Sequence, residues 1–179
     1  MKFAFVSGHP ALDLVATVES RYDQPHDLLA TPADLEQWIH ACDELPGQVS
    51  AGAAALAAAH ELREAIHQLA LDRMHPRRYT PAALDTLNHA AAAPPPTVQL
   101  SDTGLHLTGD LPAALAQVAR SAITLLADTD AHLKECGRPS CSRLYLDRSR
   151  GTRRTWCGMQ ACGNRVKAAA YRARKHATP

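Results

Sequence analysis

Four cysteines toward the C-terminal end constrain this chain more than any other feature. They stand as Cys136-Gly137-Arg138-Pro139-Ser140-Cys141 and Cys157-Gly158-Met159-Gln160-Ala161-Cys162, two C-x4-C pairs separated by fifteen residues. Two close pairs supply four thiolates, the donor set of a closed tetrahedral Zn²⁺ site. Soft sulfur ligands suit zinc, and zinc brings no redox chemistry to them. Gly137, Pro139, Gly158 and Gly163 lie inside or beside the pairs, where the backbone must double back for both sulfurs to face one metal. One Zn²⁺ on Cys136, Cys141, Cys157 and Cys162 leaves no open position, so its expected role is structural rather than catalytic. Two disulfides or a redox pair are the competing readings. The first needs an oxidising compartment, and the second normally a C-x-x-C spacing.

The segment between the pairs reads as a hairpin. Arg143-Leu144-Tyr145-Leu146-Asp147 alternates, Arg153-Arg154-Thr155-Trp156 is its expected partner, and Ser149-Arg150-Gly151-Thr152 the turn. A helix is expected from Cys162 to about His176, with Cys162, Val166, Ala169, Ala170 and Ala173 on one face. Arg165, Lys167, Tyr171, Arg172, Arg174 and Lys175 cover the other. The zinc would thus anchor a helix whose cationic face points outward.

Charge divides the chain. From Lys134 onward, twelve basic residues stand against two acids, Glu135 and Asp147; the preceding residues carry seven basic and sixteen acidic. An almost neutral total therefore hides an acidic body and a strongly basic tail, an asymmetry that points to a polyanion, most often nucleic acid. The candidate DNA contacts are Arg143, Arg148, Arg150, Arg153, Arg154, Asn164, Arg165, Lys167, Arg172, Arg174 and Lys175. A solvated basic face, or a tail docked on an acidic body, is the plainer alternative.

The tail resembles the CGNR zinc finger, on the string Cys162-Gly163-Asn164-Arg165 together with Leu146-Asp147-Arg148-Ser149-Arg150, Arg154-Thr155-Trp156-Cys157 and Val166-Lys167-Ala168. That resemblance implies a zinc-binding, DNA-binding module at the C-terminus of transcriptional regulators, with the four cysteines as ligands.

The body is expected to be helix-rich. Aromatic residues make up only 4% of the chain and alanine is frequent, so Leu, Ala, Val and Ile must build the core. Phe3-Ala4-Phe5-Val6 reads as a short strand, and a strand or helix follows Pro10. Thr31-Pro32-Ala33-Asp34 opens a helix through Trp38 with Thr31 as N-cap, and Gln48 to Met74 is the strongest helical stretch. Thr80-Pro81 repeats the capping pattern for a helix to about Ala92. Val98-Gln99-Leu100 and Leu105-His106-Leu107 flank a turn as a hairpin, and Leu111 to Ala127 is a last body helix. Leu12-Asp13-Leu14-Val15-Ala16-Thr17, Asp27-Leu28-Leu29 and Leu62-Arg63-Glu64-Ala65-Ile66 resemble the ABATE domain, which usually precedes the CGNR finger in stress-induced regulators. Where the family string has phenylalanine and asparagine, this chain has Leu14 and Ala16. Of that string's polar positions only Asp13 and Arg63 carry over.

The expected fold class is therefore α+β: a helix-rich N-terminal domain with a small hairpin over residues 1–130, then a treble-clef-like ββα zinc module over residues 131–179. Nothing reads as catalytic. His60-Glu61-Leu62-Arg63-Glu64 lacks the second histidine of a zinc-protease helix, and no phosphate loop or nucleophile elbow appears. His9, Asp13 and Arg63 form a candidate ligand pocket, set against a buried Asp–Arg pair that serves structure alone. No apolar run approaches 18 residues, so no membrane span is expected, the start does not read as a secretory signal, and the unpaired Cys42 fits a reducing cytoplasm. The function these features predict is a DNA-binding regulator on double-stranded DNA whose body senses a small-molecule effector or forms a homodimer. A zinc-stabilised protein-interaction module, and a small-molecule-binding or enzymatic body with an accessory finger, are the alternatives.

Overall fold

The structure, a computed structural model, describes residues 2–176, without the side chains of residues 161, 173 and 176. The N-terminal residues 2–6 form no strand, contrary to expectation; they run extended into α1 (Pro10–Val15). The His9 imidazole caps α1 by accepting from Ala11 N at 3.3 Å, and Pro10 presets the first turn. All six α1 residues are buried, so this short helix is held by its surroundings rather than by its own propensity.

Two-residue strands β1 (Val18–Glu19) and β2 (His26–Asp27) pair across the polar connector. α2 (Pro32–His40) begins on a capping box in which Thr31 and Asp34 satisfy each other's backbone N–H. α3 (Ala53–Met74) starts later than expected, just after the N-cap Gly52, and packs against α1, α2, α4 (Pro81–Ala92) and α5 (Leu111–Ala127). Ala114, Ala116, Ala119 and Ala122 of α5 are fully buried; their small side chains let helices approach closely around Leu62, Ile66, Leu69 and Leu87. Trp38 is core.

Thr80 does not cap α4 with its own side chain. Its hydroxyl and N–H both donate to the buried Asp72 carboxylate at 2.8 Å, which also receives Gln68 and Arg77. β3 (Thr97–Ser101) and β4 (Gly104–Thr108) form the expected hairpin, and it projects from the body. Val98, Leu100 and Leu105 on one face are 64%, 88% and 63% exposed.

The expected hairpin between the cysteine pairs is not what forms. β6 (Leu144–Leu146) pairs antiparallel with β5 (Leu133–Glu135), with Lys134 opposite Tyr145. The physical reason is burial. Leu144 and Leu146 enter the same core as the body helices, while Tyr145, on the opposite face, closes over the sulfur cluster. A strand buried on both faces needs a partner already docked on the body, and the chain leaving α5 provides it. Arg153–Trp156 forms no strand. A single π-helical turn (Met159–Gly163) then leads into α6 (Asn164–His176).

Candidate metal centre and its basic surround

The β5–β6 ladder brings the first cysteine pair into position. Cys136 N donates to Arg143 O at 3.0 Å, one step beyond the ladder, and Cys141 N donates to Arg138 O to close the turn. The second pair arrives because Gly137 N donates to Thr155 O at 2.9 Å. That close approach favours glycine: a Cβ at residue 137 would stand 3.2 Å from Thr155 O and from the Trp156 ring. Cys162 N and Gly163 N both donate to Gly158 O, forming the π turn that aims Cys162 back at its partners.

The sulfurs of Cys136, Cys141, Cys157 and Cys162 all lie within 4.8 Å of one another. Cys141 and Cys157 are 3.9 Å apart, and Cys157 and Cys162 3.5 Å. A tetrahedral zinc–thiolate centre separates its sulfurs by about 3.8 Å, so donors and spacing fit one Zn²⁺. Cys157 N also donates to Cys136 Sγ at 3.4 Å, which orients that sulfur within the cluster. The hydrogen bond from Cys157 pulls the Cys141 thiol down to about 4, whereas that same contact raises Cys157, and burial raises Cys162. Cys141 sheds its proton readily, whereas Cys157 and Cys162 give theirs up when a cation takes their place. Trp156 packs beside the sulfurs. Cys42 lies apart in the body core, and burial pushes its thiol up to about 11.

The most consequential residue that sequence reasoning missed is Asp147. Its buried carboxylate accepts from Lys134 Nζ at 2.7 Å, Ser149 N at 2.9 Å, Ser149 Oγ at 2.6 Å and Arg154 N at 3.1 Å. It thereby folds the loop that joins the two cysteine pairs. The available signal was its isolation, as one of two acids among twelve basic residues.

The candidate DNA-contacting residues divide into two groups. Arg154 turns inward: its guanidinium donates to Val6 O at 2.8 Å, to Trp156 O at 2.9 Å and to Cys157 O, and stands 4.4 Å from the Tyr145 ring centre. Arg143 also turns inward, donating to Ala4 O at 2.7 Å, with its side chain only 10% exposed. Both side chains join the tail to the N-terminal segment. Arg148, Arg150 and Arg153 are exposed in the loop, and Asn164, Arg165, Lys167, Arg172, Arg174 and Lys175 are exposed on α6.

The expected apolar face of α6 does not pack. Of that face Cys162 is buried in the zinc centre and Val166 is partly covered, but Ala169 and Ala170 are exposed, and Ala173 lies outside the described side chains. Alanines offer too little area to hold a helix down, so α6 projects from the zinc centre.

His9, Asp13 and Arg63 do not converge. Asp13 accepts from Ser7 N at 3.0 Å, and His9 caps α1. Arg63 holds Asp27 through two 2.8 Å bonds and reaches Thr17 and Glu64. Its partner is thus Asp27 on β2, and the guanidinium is used in structure.

A four-cysteine zinc site on a ββα unit, docked on a helical body, defines a zinc-finger protein. Residues 132–175 match the sequence profile of the CGNR zinc finger. Residues 8–129 match that of the ABATE family, described as "Putative stress-induced transcription regulator"; the chain belongs to this family. No curated protein matches it. The family description is of a regulator rather than an enzyme. No helix among the described residues is long and apolar enough to cross a membrane.

Proposed function

We propose that the chain is a zinc-dependent, DNA-binding transcriptional regulator of the cytoplasm. The observation that carries this reading is α6: a helix of 13 residues that begins two residues after the zinc ligand Cys162 and exposes cations along its length. At 1.5 Å per residue such a helix spans about 20 Å, and the major groove admits one. Asn164 and Arg165 at its start are suited to base edges, and Lys167, Arg172, Arg174 and Lys175 to phosphates, with Arg148, Arg150 and Arg153 contacting the backbone from the loop. Zinc would bind only to fix this pose; the chain's own residues do the reading.

The exposed hairpin favours a homodimer as the working form. Val98 faces Leu107 and Leu100 faces Leu105 in register, giving an apolar face that a second copy would cover. A single finger reads few bases, and two linked copies multiply affinity at paired half-sites.

The test is duplex binding by the zinc-loaded chain, with and without chelator, beside a variant carrying Arg165→Ala, Lys167→Ala and Arg172→Ala. Specific DNA recovered by the wild type and lost by both perturbations is the expected result. Equal recovery by the variant sinks α6 as the reading element, and no duplex binding at all would move the basic face to an acidic protein partner.

A further inference from the structure

A polar cleft of about 310 Å³ opens between the body and the zinc module. The body contributes Ala16 to Ser20 along β1, and the module contributes the loop of the first cysteine pair and the start of α6. Three guanidinium-bearing residues line it: Arg138, Arg143 and Arg165. The opposing charge is Glu19, half exposed and 3.8 Å from Arg143. Arg138 Nε is buried and has no hydrogen-bond partner. Ser142, buried on the cleft wall, accepts from Arg21 N at 2.9 Å and so keeps its hydroxyl proton to donate.

We propose that this cleft binds a small phosphate-bearing molecule. Arg143 already donates to Ala4 O and Arg138 lies against the Cys141 and Cys162 sulfurs, so the donors left to a ligand are the Arg165 guanidinium, the remaining N–H groups of the other two forks and a hydroxyl, a set that suits a tetrahedral oxyanion with several acceptor atoms better than a single planar carboxylate. An unpartnered buried Arg donor is costly unless a ligand completes it. The volume is at the low end of small-molecule clefts, which begin at about 300 Å³, enough for a phosphate and a compact organic group. The walls belong to separate segments already stitched by Ser20 Oγ to Ser140 O at 3.1 Å and Arg21 N to Ser142 Oγ. An anion between them pins Arg165, and with it the first turn of α6, to the body. That coupling rests on the DNA-binding reading; the binding itself does not.

The probe is inorganic phosphate, titrated calorimetrically into the full zinc-loaded chain against chloride at matched ionic strength. Saturable one-to-one binding is expected, weakened at least tenfold by Arg138→Gln with zinc content unchanged, and untouched by Arg78→Gln on the exposed surface of the body. Should Arg138→Gln shed zinc, Arg165→Gln at the exposed lip serves the same purpose. No saturable binding, or equal binding by the wild type and the cleft variant, overturns the proposal. Phosphate that stays bound when a short duplex is added supports a free ligand. Phosphate displaced by duplex, with the same variants losing duplex affinity in parallel, overturns the free ligand and gives the cleft to the DNA backbone. Phosphate binding without any duplex binding sinks the regulator reading and leaves the cleft standing.

Discussion

The Lys134 ammonium on β5 donates to the Asp147 carboxylate at 2.7 Å, reaching across the ladder to the residue that follows β6. Lys134 also donates to Thr152 O and to Arg154 O, so one cation and one anion between them fold the whole loop linking the cysteine pairs. Burial alone would raise the Asp147 carboxyl, but the Lys134 ammonium and the Ser149 donors hold it well below the usual carboxylate range. The stabilisation is complete above the ordinary value of about 3.8 and fades only as pH falls below it, through the lower folded value. Asp147→Asn is therefore expected to lower the Tm of the zinc-loaded chain already at pH 7. An unchanged Tm would show that the loop does not depend on this carboxylate.

Two histidines make the body acid-sensitive. Burial lowers His9 and His67 to about 4, with Arg148 adding to the effect at His9 and Arg21 at His67. Each binds its proton more weakly folded than unfolded, so stability falls as pH drops from about 6.5 toward 4. Protonation would also turn the His9 Nδ1 acceptor at Ala11 N into a donor and remove the cap of α1. The double variant His9→Asn, His67→Gln should show a shallower decline of Tm across that window. A parallel decline in both proteins would assign the acid sensitivity to other groups.

Inward and outward arginines should separate in a salt titration. If about six phosphates are neutralised, affinity for duplex falls roughly a thousandfold between about 50 and 200 mM salt. Arg172→Ala should reduce the slope of log affinity against log salt by about one while leaving Tm unchanged. Arg154→Ala should lower Tm, because its guanidinium holds Val6 O, Trp156 O and Cys157 O. The reverse pattern would exchange the roles assigned to the two residues.

Leu146 joins the zinc module to the body. It is 6% exposed within the helical core, and its N–H donates to Ser7 O at 2.8 Å. Leu146→Ala is expected to cost about 2–5 kcal/mol in urea unfolding, with circular dichroism of the helices and release of zinc moving together. Zinc release at unchanged helix stability would mean that the module folds independently.

The hairpin is expected to control assembly. Leu100→Ser with Leu105→Ser replaces the apolar centre of an exposed face, so sedimentation should report monomer where the wild type sediments as a dimer. A wild-type monomer at micromolar concentration would remove the hairpin from the mechanism.

What the sequence alone determined is what depends on near neighbours along the chain. The spacing of Cys136, Cys141, Cys157 and Cys162 forecasts a metal site because each pair is one tight turn. Thr31 and Asp34 announce the start of α2 because a capping box closes within four residues. The β3–β4 hairpin is legible for the same reason: its turn and its register lie in one short stretch.

Tertiary structure decided the rest, because those choices weigh distant segments against one another. β6 pairs with β5 rather than with residues 153–156, since only the chain leaving α5 lies where Leu144 and Leu146 can also enter the core. Arg63 pairs with Asp27 across 36 residues, and Arg154 reaches Val6 across 148. Composition treats Arg154 and Arg172 alike; the fold uses the first as an internal tie and exposes the second, because the carbonyls of Val6 and Trp156 lie in segments that join no strand ladder and take the Arg154 guanidinium as their donor.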